Sequence, residues 1–213
     1  MNILHVIADP LPPAVAVNKR IAEAFFATLV EIAPDTNVDT HDLYADRPPF
    51  IDAALLQFLW MPATDGGAGP GPAEEAARQY VRTQCARVAA ADVLVLAAPV
   101  WNYGVPAILK AWIDVIIAPN HTFRFGAHGP EPLHKIKDVF FFLSSGGTMT
   151  RHNARHGLTD QIGAAFGFIG IREPKVVWAD GQDSKLHPDY RQREQAALDQ
   201  ARSLAREIAA HNR

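Results

Sequence analysis

The run Asp92-Val93-Leu94-Val95-Leu96-Ala97-Ala98 passes straight into Pro99-Val100-Trp101-Asn102-Tyr103-Gly104-Val105-Pro106. Uninterrupted apolar residues bounded by turn-formers mark a strand buried on both faces, the kind found in parallel sheets covered by helices. The next apolar residues, Val105, Ile108, Leu109, Trp112, Ile113 and Ile116, recur at helical spacing. Strand, loop and helix in that order form the repeating unit of an α/β sheet.

The same unit can be followed in both directions. Upstream, Asn2 to Ile7 is a short apolar strand. Ile21, Phe25, Leu29 and Ile32 then share one helix face until Pro34 ends it, and Asn37 to Asp42 is a weaker, edge-like strand. Residues 48–72 are irregular, with one or two helical turns predicted over Ala53 to Trp60 and a glycine-rich loop over Asp65 to Gly71. A helix is predicted over Ala73 to Ala89, with Glu74 and Glu75 suited to its positive end. Downstream, Asp138 to Leu143 is another buried strand, and a helix starts near His156 and includes Gln161 to Phe168. Lys175 to Ala179 is a last strand, and Pro188 opens a final helix with Leu198, Ala201, Ala205 and Ile208 on one face. Five strands with right-handed crossovers predict a doubly wound, flavodoxin-like parallel sheet in the order 2-1-3-4-5. The expectation is a single domain over residues 1–213, with 48–72 as an irregular insertion.

Composition narrows the function. Lys and Arg total 20 against 23 Asp and Glu, a net charge of −3. That lacks the basic footprint that nucleic-acid binding requires. The single cysteine, Cys85, permits no disulfide framework and no multi-cysteine metal site, and it reads as a small buried residue in its helix. Met1 to Ala8 is too short for a signal peptide, and Val93 to Leu109 is broken by Pro99 and Pro106. The expectation is therefore a cytoplasmic protein with no membrane partner.

In a sheet of this order, ligands bind beyond the carboxyl ends of the strands, where strand order reverses. Three loops meet there: Ala8 to Asn18, Pro99 to Gly104, and Ser144 to Thr148. The second carries two aromatics, an amide and a glycine, which suit a planar heteroaromatic ligand. The third, Ser144-Ser145-Gly146-Gly147-Thr148, lets backbone amides come close to a ligand.

Residues 98–114, Ala-Pro-Val-Trp-Asn-Tyr-Gly-Val-Pro-Ala-Ile-Leu-Lys-Ala-Trp-Ile-Asp, resemble the signature of FMN-dependent NADH azoreductases and the related NAD(P)H:quinone oxidoreductases. Thr122 to Phe125 with Gly129-Pro130, the Ser144 to Gly147 loop, and Gly167-Phe168-Ile169-Gly170-Ile171 extend the likeness over nearly the whole chain. The resemblance implies a homodimeric flavoenzyme with FMN at the dimer interface. A nicotinamide, NADH or NADPH, would reduce it and a quinone or azo compound would oxidise it. Pro99, Val100, Trp101, Asn102 and Tyr103 would form a flavin-edge loop, with Asn102 at the polar rim of the isoalloxazine. Ser144, Ser145, Gly146 and Gly147 would approach its pyrimidine side. Phe123, Phe125 and Phe166 would line the substrate face, with Phe125 facing the partner subunit's site.

The first loop departs from the family pattern. Two serines that bind the FMN phosphate are matched here by Ala16 and Asn18, and Ala8 to Asn18 holds no Ser, Thr or Gly. Asp9 lies in the same loop. A phosphate would depend on helix-start amides, the Asn18 side chain, and Lys19 or Arg20.

Reducing a quinone or azo bond consumes protons, and His152 and His156 are the candidate donors at the substrate mouth. The alternative for this pair is plain solvation. Their i, i+4 spacing carries no intervening carboxylate, and no metal is expected. Arg124, Arg151 and Arg155 are candidates for an anionic substrate. Two rival readings share the fold: a flavodoxin-type electron carrier, and a flavin-free binding module that has lost the phosphate site.

Overall fold

A computed structural model describes residues 1–61, 69–148, 155–171 and 174–211, with the side chains of 155–157 outside the description. The five expected strands are β1 (Asn2–Ile7), β2 (Asn37–Asp42), β3 (Val93–Pro99), β6 (Asp138–Ser144) and β7 (Lys175–Ala179). All pair in parallel, in the order β2-β1-β3-β6-β7. Counted among the sheet's own members, this is 2-1-3-4-5, as expected.

The alternation along each strand builds two cores. Leu4, Val6, Leu94, Leu96, Val139, Phe141 and Leu143 face one side of the sheet. There they meet Val88 of α3 (Pro72–Ala90), the Leu109–Ile116 face of α4 (Ala107–Ile116) and Leu158, Ile162 and Phe166 of α5 (Arg155–Phe168). Ile3, Val93, Val95, Phe140 and Phe142 face the other side, against α1 (Val17–Ile32) and α6 (Tyr190–His211). Phe25 of α1 sits 5.0 Å from Phe140 and 5.4 Å from Phe142, ring centre to ring centre. Trp112 is fully buried and its indole donates to Gln84 Oε1 at 3.3 Å, so the apolar stripe of α4 is core.

A short helix, α2 (Ala53–Trp60), is capped by the Asp52 side chain, which accepts from Leu55 N at 2.8 Å. With α3 and α4 it encloses a third cluster that includes Cys85. Burial pushes that thiol up to about 12, so it is an inert filler rather than a reactive group. The glycine-rich loop falls largely on residues 62–68, outside the described residues.

One element was not foreseen: an antiparallel hairpin of β4 (Phe123–Gly126) and β5 (Gly129–Pro132). It stands on the α4-to-β6 crossover. Among the described residues, no helix is long and apolar enough to cross a membrane.

Candidate functional site

The carboxyl ends of β1, β3 and β6 bring the three loops together. Val100 N donates to Ser144 O at 2.8 Å, which carries the β3–β6 pairing past the rim of the sheet. Beyond it the chain reverses in a tight turn. Trp101 and Gly104 exchange both backbone hydrogen bonds at 3.0 Å, with Asn102 (φ 49°) and Tyr103 (φ 63°) as the central pair. Two left-handed residues in succession define the type I′ turn that closes a two-residue hairpin. The geometry lifts side chains off the rim: Trp101 is 44% exposed and Tyr103 63%. Pro99 stays buried in the strand, and Val100 is half-buried against the core.

The β6 loop is shaped from behind. The carbonyls of Ser145, Gly146 and Gly147 accept from Gln182 N, Asp183 N and Gly181 N at 2.9, 3.0 and 3.1 Å. Ser145 Oγ accepts from the Trp178 indole and donates to Gly147 O, both at 2.9 Å. Its hydroxyl therefore builds the loop and is not free for a ligand. With the carbonyls turned back, the amides of Gly146 and Gly147 meet no acceptor among the described residues. A methyl group on Gly147 would touch nothing within 4 Å, and one on Gly146 only Asp183 Cβ at 3.8 Å. Open space adjoins these two donors, which have no acceptor among the described residues.

The supporting loop after β7 was missed in the sequence reading. Gly181 (φ +63°) is the signal that identifies it, since a Cβ there would lie about 3.1–3.2 Å from Arg193, Thr148 and His187. Arg193 pins this loop through Asp180 and Asp189, each at 2.8 Å.

At the first loop the side chains turn inward. Asn18 Nδ2 donates to Asp9 Oδ2 at 2.6 Å and to Ser144 Oγ at 3.0 Å, so both of its hydrogens are used. Asp9 Oδ1 accepts from Leu11 N at 2.9 Å. Asp9, Ala16 and Asn18 are all buried. The expected role of Asn18 as a phosphate donor is corrected: its donors are spent on tying the β1 loop to the β6 loop. Arg20 is similarly committed, to Glu194 at 2.6 Å and to the carbonyls of Pro13 and Ala14 at 2.9 and 3.1 Å. Ala16 caps α1 without a side-chain bond, and no acidic residue lies in the first turn.

An aromatic patch adjoins the hairpin. Phe123 is fully buried and packs against Phe125, Phe168 and Trp60 at 5.3, 5.1 and 6.1 Å. Those three rings are exposed. Phe123 and Phe166 are both fully buried, so neither ring presents the exposed face expected of it, whereas Phe125 and Phe168 are exposed. Arg124 is paired with Glu131 at 2.9 Å. His152 and Arg151 lie outside the described residues, as do the side chains of His156 and Arg155.

This donor set fits a planar heteroaromatic cofactor such as FMN at its ring end. It offers flat exposed rings, the Asn102 amide, and two amides beside open space. At the first loop, among the described residues, the backbone amides at the start of α1 are accompanied by the Ser144 hydroxyl, which accepts from Asn18 and keeps its own hydrogen, and by Lys19.

A family model described as flavodoxin-like fold matches residues 1–204. An FMN-dependent NADH:quinone oxidoreductase of Bradyrhizobium diazoefficiens is 32% identical over 211 residues, covering 96% of this chain and 98% of that one. One from Methylobacterium radiotolerans is 34% identical, covering 99% and 100%. The chain belongs to this family. The structure of an FMN-dependent NADH-azoreductase from Bacillus anthracis in complex with FMN aligns at TM-score 0.83 and 20% identity, covering 98% of this chain and all of that one. At that identity the likeness concerns the fold.

Proposed function

We propose that this chain is an FMN-dependent oxidoreductase that passes a hydride from NADH or NADPH, by way of the flavin, to a quinone or azo compound. The observation that carries the reading is the pairing of the exposed Trp101–Gly104 turn with the open amides of Gly146 and Gly147 at the strand-order switch point. Full-length likeness to relatives named for this reaction supports it. When bound, FMN supplies the redox chemistry, accepting two electrons and a proton and giving them up again.

The protein's own residues position and shield. Trp101 and Tyr103 provide flat walls, and the Asn102 amide addresses a polar ring edge. The amides of Gly146 and Gly147 are the donors that would hold a polar edge of the ring and would favour negative charge placed there. Val100 and Pro99 seal the floor. The exposed rings of Phe125, Phe168 and Trp60 around Phe123 supply an apolar surface suited to an aromatic substrate and to a second copy of the chain, and the working form is a cytoplasmic homodimer. The proton for the reduced product comes from water or from His152 or His156.

The test is a visible spectrum of the purified protein before and after FMN, followed by anaerobic NADH and then menadione. Flavin bands that co-elute, bleach with NADH and return with menadione are expected. Bound flavin without quinone turnover would instead identify an electron carrier. Refusal of FMN would identify a flavin-free module.

A further inference from the structure

We infer that Trp178 is a positioning residue for the proposed reaction: through the Ser145 hydroxyl it holds the Gly146 and Gly147 amides outward, and so biases the site toward reduced over oxidised flavin. The inference rests on the flavin reading above and adds a residue of β7, outside the three rim loops, to the parts that serve the site.

In a trans peptide unit the C=O and the N–H point in opposite directions. Ser145 O accepts from Gln182 N at 2.9 Å, so the N–H of Gly146, in the same unit, points away from the loop after β7. Gly146 O accepts from Asp183 N at 3.0 Å, which turns the N–H of Gly147 away as well. Both donors adjoin open space and have no acceptor among the described residues. Successive amides arranged in this way favour negative charge placed against them.

Neither glycine has a side chain to hold this arrangement, and the hold comes from β7. Ser145 N donates to Ala179 O at 3.1 Å, which extends the β6–β7 pairing by one residue. Ser145 Oγ gives its one hydrogen to Gly147 O at 2.9 Å. A hydroxyl rotates to suit its neighbours unless a donor fixes its lone pairs. The Trp178 indole N–H, which can only donate, does so at 2.9 Å. Trp178 pairs with Leu143 in the sheet and is half-buried against the core, so packing fixes its ring. A relay thus runs from the core through one indole and one hydroxyl to the Gly147 carbonyl, and it orders the loop before a ligand arrives. Reduction adds electron density to a flavin, so donors fixed against a polar edge of the ring favour the reduced form.

Two variants break the relay. Trp178→Phe keeps an aromatic ring in the core and removes the N–H, and Ser145→Ala leaves the core untouched. Each is expected to weaken binding of reduced flavin about fivefold more than that of oxidised flavin. The readout is a fall of about 20 mV in the two-electron midpoint potential of bound FMN. The double variant is expected to fall no further than either single one, since both interrupt the same relay. In the flavin-free chain, NMR order parameters at Gly146 and Gly147 are expected to drop in both variants. Unchanged order parameters would overturn the positioning role whether or not flavin binds. Equal weakening of both redox forms, with the potential unmoved, would make Trp178 merely structural and leave the flavin reading standing. Additive shifts in the double variant would overturn the relay. A parent chain that binds no flavin would overturn the flavin reading, and the redox bias with it.

Discussion

Tyr103 shows how a single residue trades stability for function. Its φ of 63° lies in the left-handed region, which a bulky side chain occupies only under strain. Glycine would adopt that conformation freely, and the hydrogen bonds between Trp101 and Gly104 do not involve the side chain. Tyr103→Gly is therefore expected to leave the fold as stable or stabilise it by up to about 1 kcal/mol, read as the urea midpoint of the flavin-free protein. The same variant is expected to weaken flavin binding severalfold, because the exposed ring is lost. A drop in both quantities would show that the ring supports the fold instead. Ser145 makes the contrasting case. Among the described residues its hydroxyl bonds to Trp178 and Gly147, so its contribution is to the shape of the loop.

Among elements, what the sequence disclosed follows the physics of each. The central strands were legible because β3 and β6 are buried on both faces and read as unbroken apolar runs. The hairpin was not, since its strands are short, largely exposed and contain Pro130 and Pro132. It is held by tertiary contacts: Phe123 in the core, and Pro132 against the turn that follows α5. The β3 loop stood out in the sequence as a candidate because aromatics in a loop at a switch point need a reason other than packing, and Trp101 and Tyr103 are indeed exposed. The role of Asn18 was not, because the hydroxyl that occupies its amide belongs to Ser144, 126 residues away. Gly170 tests the hairpin argument. It has φ +85°, and a Cβ would stand 3.1 Å from Pro132 Cγ. Gly170→Ala is expected to cost about 1–3 kcal/mol from strain and crowding together. Hydrogen exchange should show protection lost first over residues 123–132, whereas uniform loss across the sheet would mean that this turn does not seat the hairpin.

At the scale of the whole molecule, buried histidines tie global stability to pH. His5 lies in β1, 4.7 Å from Phe26, and its Nε2 has no hydrogen-bond partner among the described residues. Burial, reinforced by Lys19, lowers its pKa to about 4. His41, buried beside Tyr80 and Arg87, is lowered by the same leading cause. In the unfolded chain a histidine takes up its proton near pH 6.5. Between about pH 6.5 and 4 the unfolded state thus binds more protons than the folded state, and acid favours unfolding. The stability associated with neutral His5 is complete above pH 6.5 and is lost as pH falls toward 4, amounting to about 3 kcal/mol over the full span. Urea midpoints of the parent chain should fall clearly between pH 7.5 and 5, and those of His5→Val should fall by distinctly less, since valine suits a buried strand position and cannot titrate. Equal falls in the two proteins would assign the acid sensitivity to the other lowered histidines, His41, His121 and His134. Because His5 lies on β1, an interior strand whose end carries the Asp9 loop, acid that opens the core at this point also releases the loop that ties Asn18 to Ser144. Flavin retention and fold stability should therefore decline over the same pH interval.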